Sequence, residues 1–123
     1  NATGTRIATG SADGTARIWD TDGNPLGQSM WHNSVVNDVA FSPDGTAVIT
    51  SSDDNTARVW DAATGLPRGP RLAHCGAVNR AVFSPSSKYV LTGSQAGLSR
   101  LYRRLDSFPK IVIAAPEPPI RAN

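Results

Sequence analysis

Apolar and polar positions alternate along this chain in short runs, and each run stops at a turn sequence. From Val35 the alternation continues to Ser42 and ends at Pro43-Asp44-Gly45, with proline and glycine where a β-turn favours them. Ala47–Ser52 alternates again as far as Asp53-Asp54-Asn55, and Thr56–Asp61 adds a β-branched and aromatic run. A Gly/Pro connector then leads to Arg68–Ala73. No stretch sustains the 3.6-residue spacing of an amphipathic helix, so the pattern predicts an all-β fold.

The same pattern returns at a fixed interval. Trp19 recurs as Trp60, 41 residues on, and then as Tyr102, 42 further. His32 returns as His74, Phe41 as Phe83 and Pro43 as Pro85, all at 42. Asp13-Gly14-Thr15-Ala16-Arg17-Ile18-Trp19-Asp20 is answered by Asp54-Asn55-Thr56-Ala57-Arg58-Val59-Trp60-Asp61, and Pro25-Leu26-Gly27 by Pro67-Arg68-Gly69. Four short strands in a period of 42 residues make one β-propeller blade, four antiparallel strands each. The 123 residues hold about three such blades, a partial propeller.

Composition narrows the function classes. Hydrophobic residues make up 39% and charged residues 18%, as a globular domain requires and a disordered polyelectrolyte does not. Cys75 is the only cysteine, which excludes an internal disulfide and a cysteine zinc site; a reducing, cytoplasmic setting fits it. No apolar run approaches a membrane span, and no signal peptide is visible. A start at Asn1-Ala2-Thr3 without methionine suggests processing or a fragment. The net charge of +2 hides an asymmetry: residues 1–61 carry −5 and residues 62–123 carry +7.

His32, Val36, Val39, Phe41, Ser42-Pro43-Asp44-Gly45, Thr50-Ser51-Ser52, Asp54, Thr56 and Trp60-Asp61 together resemble a complete WD repeat. His74 through Tyr102 resembles a second with a degenerate end, and residues 5–20 the back half of a preceding one. The resemblance covers residues 5–103 and implies blades of strands a to d. Residues 1–31 then form a truncated first blade, with strands b, c and d at Arg6–Ser11, Thr15–Asp20 and Leu26–Met30. Residues 32–73 form a complete second blade, 74–115 a degenerate third with Lys110–Ala114 as its strand d, and 116–123 a Pro-rich tail.

Histidine, aspartate and hydroxyl residues in each repeat invite a hydrolase reading. The family implies instead a hydrogen-bonded structural tetrad: His32, Asp54 and Trp60 with Thr50 or Ser52, echoed by Asp13 and Trp19 in the first blade and His74 in the third. No Gly-x-Ser-x-Gly elbow accompanies these residues, which argues against a nucleophilic serine. Ala96 replaces the aspartate of the third repeat, so the network of His74 is expected to be incomplete.

Such propellers bind other proteins or peptides on their top face, which here implies Val35, Asn37, Ala77 and Asn79, with Ala12, Asp53 and Gln95. The expected function is a non-catalytic protein-interaction scaffold without cofactor or metal, and with neither nucleic acid nor membrane as partner. Arg100, Arg103, Arg104 and Lys110 are a basic cluster without a known nucleic-acid module around them. The connector Trp60-Asp61-Ala62-Ala63-Thr64-Gly65 resembles WD arrays attached to bacterial signalling ATPases and kinases, which implies a regulatory sensor as the alternative. A closed ring takes about 4–8 blades, so the chain is expected to be a homo-oligomer or a fragment of a longer propeller.

Overall fold

The computed structural model describes residues 1, 3–94 and the strand at 110–113. The first sheet is β1 (Arg6–Gly10), β2 (Thr15–Asp20) and β3 (Pro25–Trp31) in spatial order. The second is β4 (Val36–Phe41), β5 (Ala47–Ser52), β6 (Thr56–Asp61) and β7 (Leu72–Ala73). The third pairs β8 (Val78–Phe83) with β9 (Tyr89–Ser94), and β10 (Lys110–Ile113) lies on the far side of β9. Paired strands from β1 to β9 run antiparallel, and no helix occurs among the described residues. The protein is all-β, built of partial propeller blades.

The repeat shows how turn chemistry sets the frame. In the second blade Ser42 N–H donates to Ala47 O at 2.8 Å, and Ser42 Oγ accepts from Ala47 N–H at 3.0 Å. Asn1 stands one period earlier and does the same work: its amino group donates to Arg6 O at 2.7 Å, and its Oδ1 accepts from Arg6 N–H at 3.1 Å. Asn1 and residues 3–5 thus match the a–b turn of the second blade, and β1, paired only with β2, is an edge strand among the described residues.

Two expectations need correcting. Strand d of the second blade, expected over Arg68–Ala73, is regular only at Leu72–Ala73, with a single bridge from Trp60 to Pro67. Pro70 has no N–H to donate and Gly69 sits at φ 105°, so the ladder breaks between them. Lys110–Ile113, expected as strand d of the third blade, pairs parallel with β9 itself, Lys110 opposite Tyr89 through Ile113 opposite Thr92. It lies beside strand b, whereas a strand d is separated from b by c; its β-branched run suits the polar groups along that edge of β9. The expected third strand c lies outside the described residues.

Both faces of the second blade are covered, which is why every residue of β5 is buried despite its alternating sequence. Ala47 and Ile49 join Val59, Val78, Ala81 and Val90 in a core against the third blade. Val48 and Trp60 join Ala16, Ile18, Met30 and Val36 in a core against the first. Burying each of the valine, isoleucine and methionine side chains contributes about 1.5–3 kcal/mol. Polar contacts fix the spacing between blades: Asn37 Nδ2 donates to Val78 O at 3.0 Å, and Asp44 N–H to Ser87 Oγ at 3.1 Å. The end faces differ. Ile7, one period before the fully buried Val48, is 51% exposed. Tyr89 and Leu91 are 41% and 47% exposed and line a shallow recess of about 280 Å³ with Val82, Phe83 and Pro85.

Candidate functional site: the polar relay and the top face

Alternation along β5 sends Val48, Thr50 and Ser52 to one face, toward the first blade. Trp60 stands opposite Val48 in the ladder, diagonal to Thr50, so its indole crosses to the threonine. Trp60 Nε1–H donates to Thr50 Oγ1 at 2.8 Å, and Thr50 Oγ1 lies 2.6 Å from His32 Nε2. His32 Nδ1 meets Asp54 Oδ2 at 2.9 Å, with Asn33 N–H on the same oxygen at 3.0 Å. Thr56 holds the other carboxylate oxygen through its N–H at 2.9 Å and its hydroxyl at 2.5 Å.

Counting donors fixes the protonation of this chain of bonds. Asp54 Oδ2 can only accept, so the imidazole proton sits on Nδ1 facing it, and the bare Nε2 accepts from Thr50 Oγ1. Burial pushes the His32 imidazole below its ordinary range, and the bond and charge of Asp54 offset that only in part. Burial also works against the Asp54 carboxylate, but hydrogen bonds from Thr56, Asn33 and His32, with the charge of His32, outweigh it and hold the pKa at about 2. At neutral pH the site is therefore a carboxylate and a neutral imidazole, every proton used once. The His32 side chain is 0% exposed.

Of the two hydroxyls considered for this group, Thr50 bonds both rings. Ser52 serves the turn instead, accepting from Asp54 N–H at 3.0 Å and donating to Ser34 O at 3.2 Å. In the first blade Trp19 Nε1–H donates to Thr9 Oγ1 at 2.9 Å, and Asp13 Oδ1 accepts from Thr15 N–H at 2.9 Å. In the third, His74 Nε2 lies 2.8 Å from Thr92 Oγ1. Thr9 and Thr92 were missed in the sequence, although the period that aligns the tryptophans places both under Thr50. Ala96 and Tyr102 lie outside the described residues.

The top-face candidates divide. Asp53 N–H donates to Val35 O at 3.0 Å and Asn37 Nδ2 to Asp53 Oδ1 at 2.7 Å, so these three meet. Ala77 and Asn79 flank Val78, whose carbonyl takes the other Asn37 bond, and Ala12 is exposed at the first b–c turn. Gln95 lies outside the described residues, as do Arg100, Arg103 and Arg104. Trp31, unmatched in the repeat, is 61% exposed at the end of β3. No three His, Cys, Asp or Glu side chains among the described residues converge as metal ligands would.

Blades of one repeating frame, the first two organised around a strand-b threonine bonded to a strand-c tryptophan, define a propeller repeat protein. The family described as WD domain, G-beta repeat matches residues 1–20, 23–61 and 69–103, and the chain belongs to it. It is also 55% identical over 40 residues to ribosome assembly protein 4 of Chaetomium thermophilum. That stretch is 32% of this chain and 8% of the relative's length.

Proposed function

We propose that this chain is a non-catalytic protein-interaction scaffold whose top-face loops bind other proteins or peptides. The observation that carries this reading is the inward placement of its only complete Ser/Thr–His–Asp combination among the described residues. His32 and Thr50 are buried and mutually bonded, so neither reaches a substrate, whereas Asn37 and Asp53 are exposed at the blade's top. The relative's name, ribosome assembly protein, is in keeping with a role among protein partners. Affinity capture from cell extract with Asp53→Lys/Asn79→Lys beside wild type tests it. Partners are expected to be lost from the double variant and kept by Asp22→Lys, at equal melting temperatures. A captured set indifferent to the top-face changes contradicts the assignment. A regulatory sensor array of a larger signalling ATPase or kinase is the alternative.

The open end faces favour a second element of this reading, head-to-tail assembly. Ile7 at one end and Leu91 at the other are half-exposed among the described residues, and the −5 and +7 halves attract. Light scattering after size exclusion is expected to show a dimer at micromolar concentration, while a well-folded monomer contradicts self-assembly and favours a place within a longer propeller.

A further inference from the structure

The turn between β8 and β9 repeats the one between β4 and β5 with two of its stabilising residues replaced. In the second blade Asp44 Oδ1 accepts three hydrogen bonds, from the Ser42 hydroxyl at 2.6 Å and from the Thr46 N–H and hydroxyl at 3.0 and 2.8 Å. Those bonds, that of Ser42 foremost, hold the Asp44 carboxyl below its ordinary range. One period on, Ser84-Pro85-Ser86-Ser87-Lys88 stands in place of Ser42-Pro43-Asp44-Gly45-Thr46. Ser86 Oγ takes the carboxylate's place: it lies 3.1 Å from Ser84 Oγ and accepts from Lys88 N–H at 3.3 Å. The partners are kept, the bonds are longer and the negative charge is gone. Lys88 puts an ammonium where Thr46 has a hydroxyl.

This third-blade turn is also held less firmly and is open to solvent. Ser87 takes φ 63° where Gly45 has 76°, a conformation that any residue with a Cβ disfavours. Of the three serines only Ser86 is exposed. Ser84 is half-buried and its Oγ accepts from Tyr89 N–H at 3.1 Å, while buried Ser87 accepts from Asp44 N–H across the seam at 3.1 Å.

We propose that Ser86 is a phosphorylation site for a serine kinase, and that its phosphate restores the acidic centre the second blade has at Asp44. Ser86 Oγ attacks the γ-phosphorus of a nucleoside triphosphate, and the bond from that phosphorus to the bridging oxygen breaks. The nucleoside diphosphate leaves, and the hydroxyl proton goes to the kinase's base. The phosphate brings a charge of about −1.5 to −2 and three acceptor oxygens. The Ser84 hydroxyl and Lys88 N–H, already at Ser86, bond an anion more strongly than a neutral hydroxyl, and the Lys88 ammonium balances its charge. Through Ser87 and Asp44 the tightened turn secures the seam between the second and third blades. Ser86 lies at the opposite end of the strands from Asp53 and Asn79, so the site does not rest on the top-face reading.

The test has two arms, both on the full chain. In the first, the chain is incubated with γ-labelled ATP in an extract of its own cells, and the label is located by peptide mass spectrometry. Label at Ser86, abolished by Ser86→Ala, is expected. Label confined to other hydroxyls, Ser84 included, or no label on the chain overturns the proposal. In the second, phosphoserine is placed at position 86 during translation and thermal unfolding is followed. The melting temperature should rise by about 4 °C over the unmodified chain, and Lys88→Gln should remove about half of that gain. An unchanged or lower melting temperature overturns the proposal, as does a gain indifferent to Lys88→Gln.

Discussion

Replacing Trp60 with alanine is expected to lower stability by about 3–5 kcal/mol, the cost of truncating a large aromatic in a packed core. Trp19→Ala should cost less than half as much. The two indoles share a strand position and a threonine partner, but Trp60 is 5% exposed, packs on Val48, Ala16 and Met30, and stands edge-on to His32 with ring centroids 6.1 Å apart. Trp19 makes its bond on the exposed face of the first blade. Losing Trp60 also removes the indole N–H that Thr50 Oγ1 accepts at 2.8 Å. Urea unfolding of both variants measures the difference. Equal losses contradict the claim that burial between blades, and not the repeat position alone, makes this tryptophan important.

The second large effect concerns the seam between the first two blades. Gly65 lies at φ +76°, and a Cβ there would sit 2.3 Å from Gln28 O and 2.9 Å from Gln28 N. Backbone cannot rotate away as a side chain can, and Gln28 N–H is already tied to Thr64 O at 3.0 Å. Gly23 gives the matched control, since it has φ +88° with nothing within 4 Å of a Cβ. Gly23→Ala should therefore cost only the left-handed conformation, about 1–2 kcal/mol. Gly65→Ala should add about 1–3 kcal/mol for the overlap, because β3 must move off the Asp61–Gly65 turn. Thermal unfolding separates the two; equal shifts show that the seam is loose.

Much of this was legible in the sequence because turn chemistry and alternation recur in register. Thr15–Asp20, Ala47–Ser52 and Thr56–Asp61 form as the pattern predicts, since each run is bounded by residues that a turn requires. Strand ends were less legible where proline interrupts, as at Pro70. The choice between Thr50 and Ser52 was not legible, because both face the same side and only the diagonal reach of Trp60 distinguishes them. Pairing of Lys110–Ile113 with β9 was hidden for another reason: a short β-branched run carries no signal for which edge it joins. Nor could alternation reveal that Asn37, a top-face candidate, also ties its blade to the next through Val78 O.

His32 and Trp60 belong to one buried network, joined through Thr50. An NMR pH titration of the full chain, following the His32 ring nitrogens and the three indole N–H groups, tests it most directly. At pH 7 His32 should be neutral with its proton on Nδ1, and Trp60 should exchange far more slowly than exposed Trp31. On acidification the ring should stay neutral below the ordinary histidine value of 6.5. The unfolded chain takes up that proton first, so stability is full above pH 6.5 and declines below it, and Asp54 adds a further loss between 3.8 and about 2. An imidazole that titrates at or above 6.5, with Trp60 exchanging as fast as Trp31, contradicts the account.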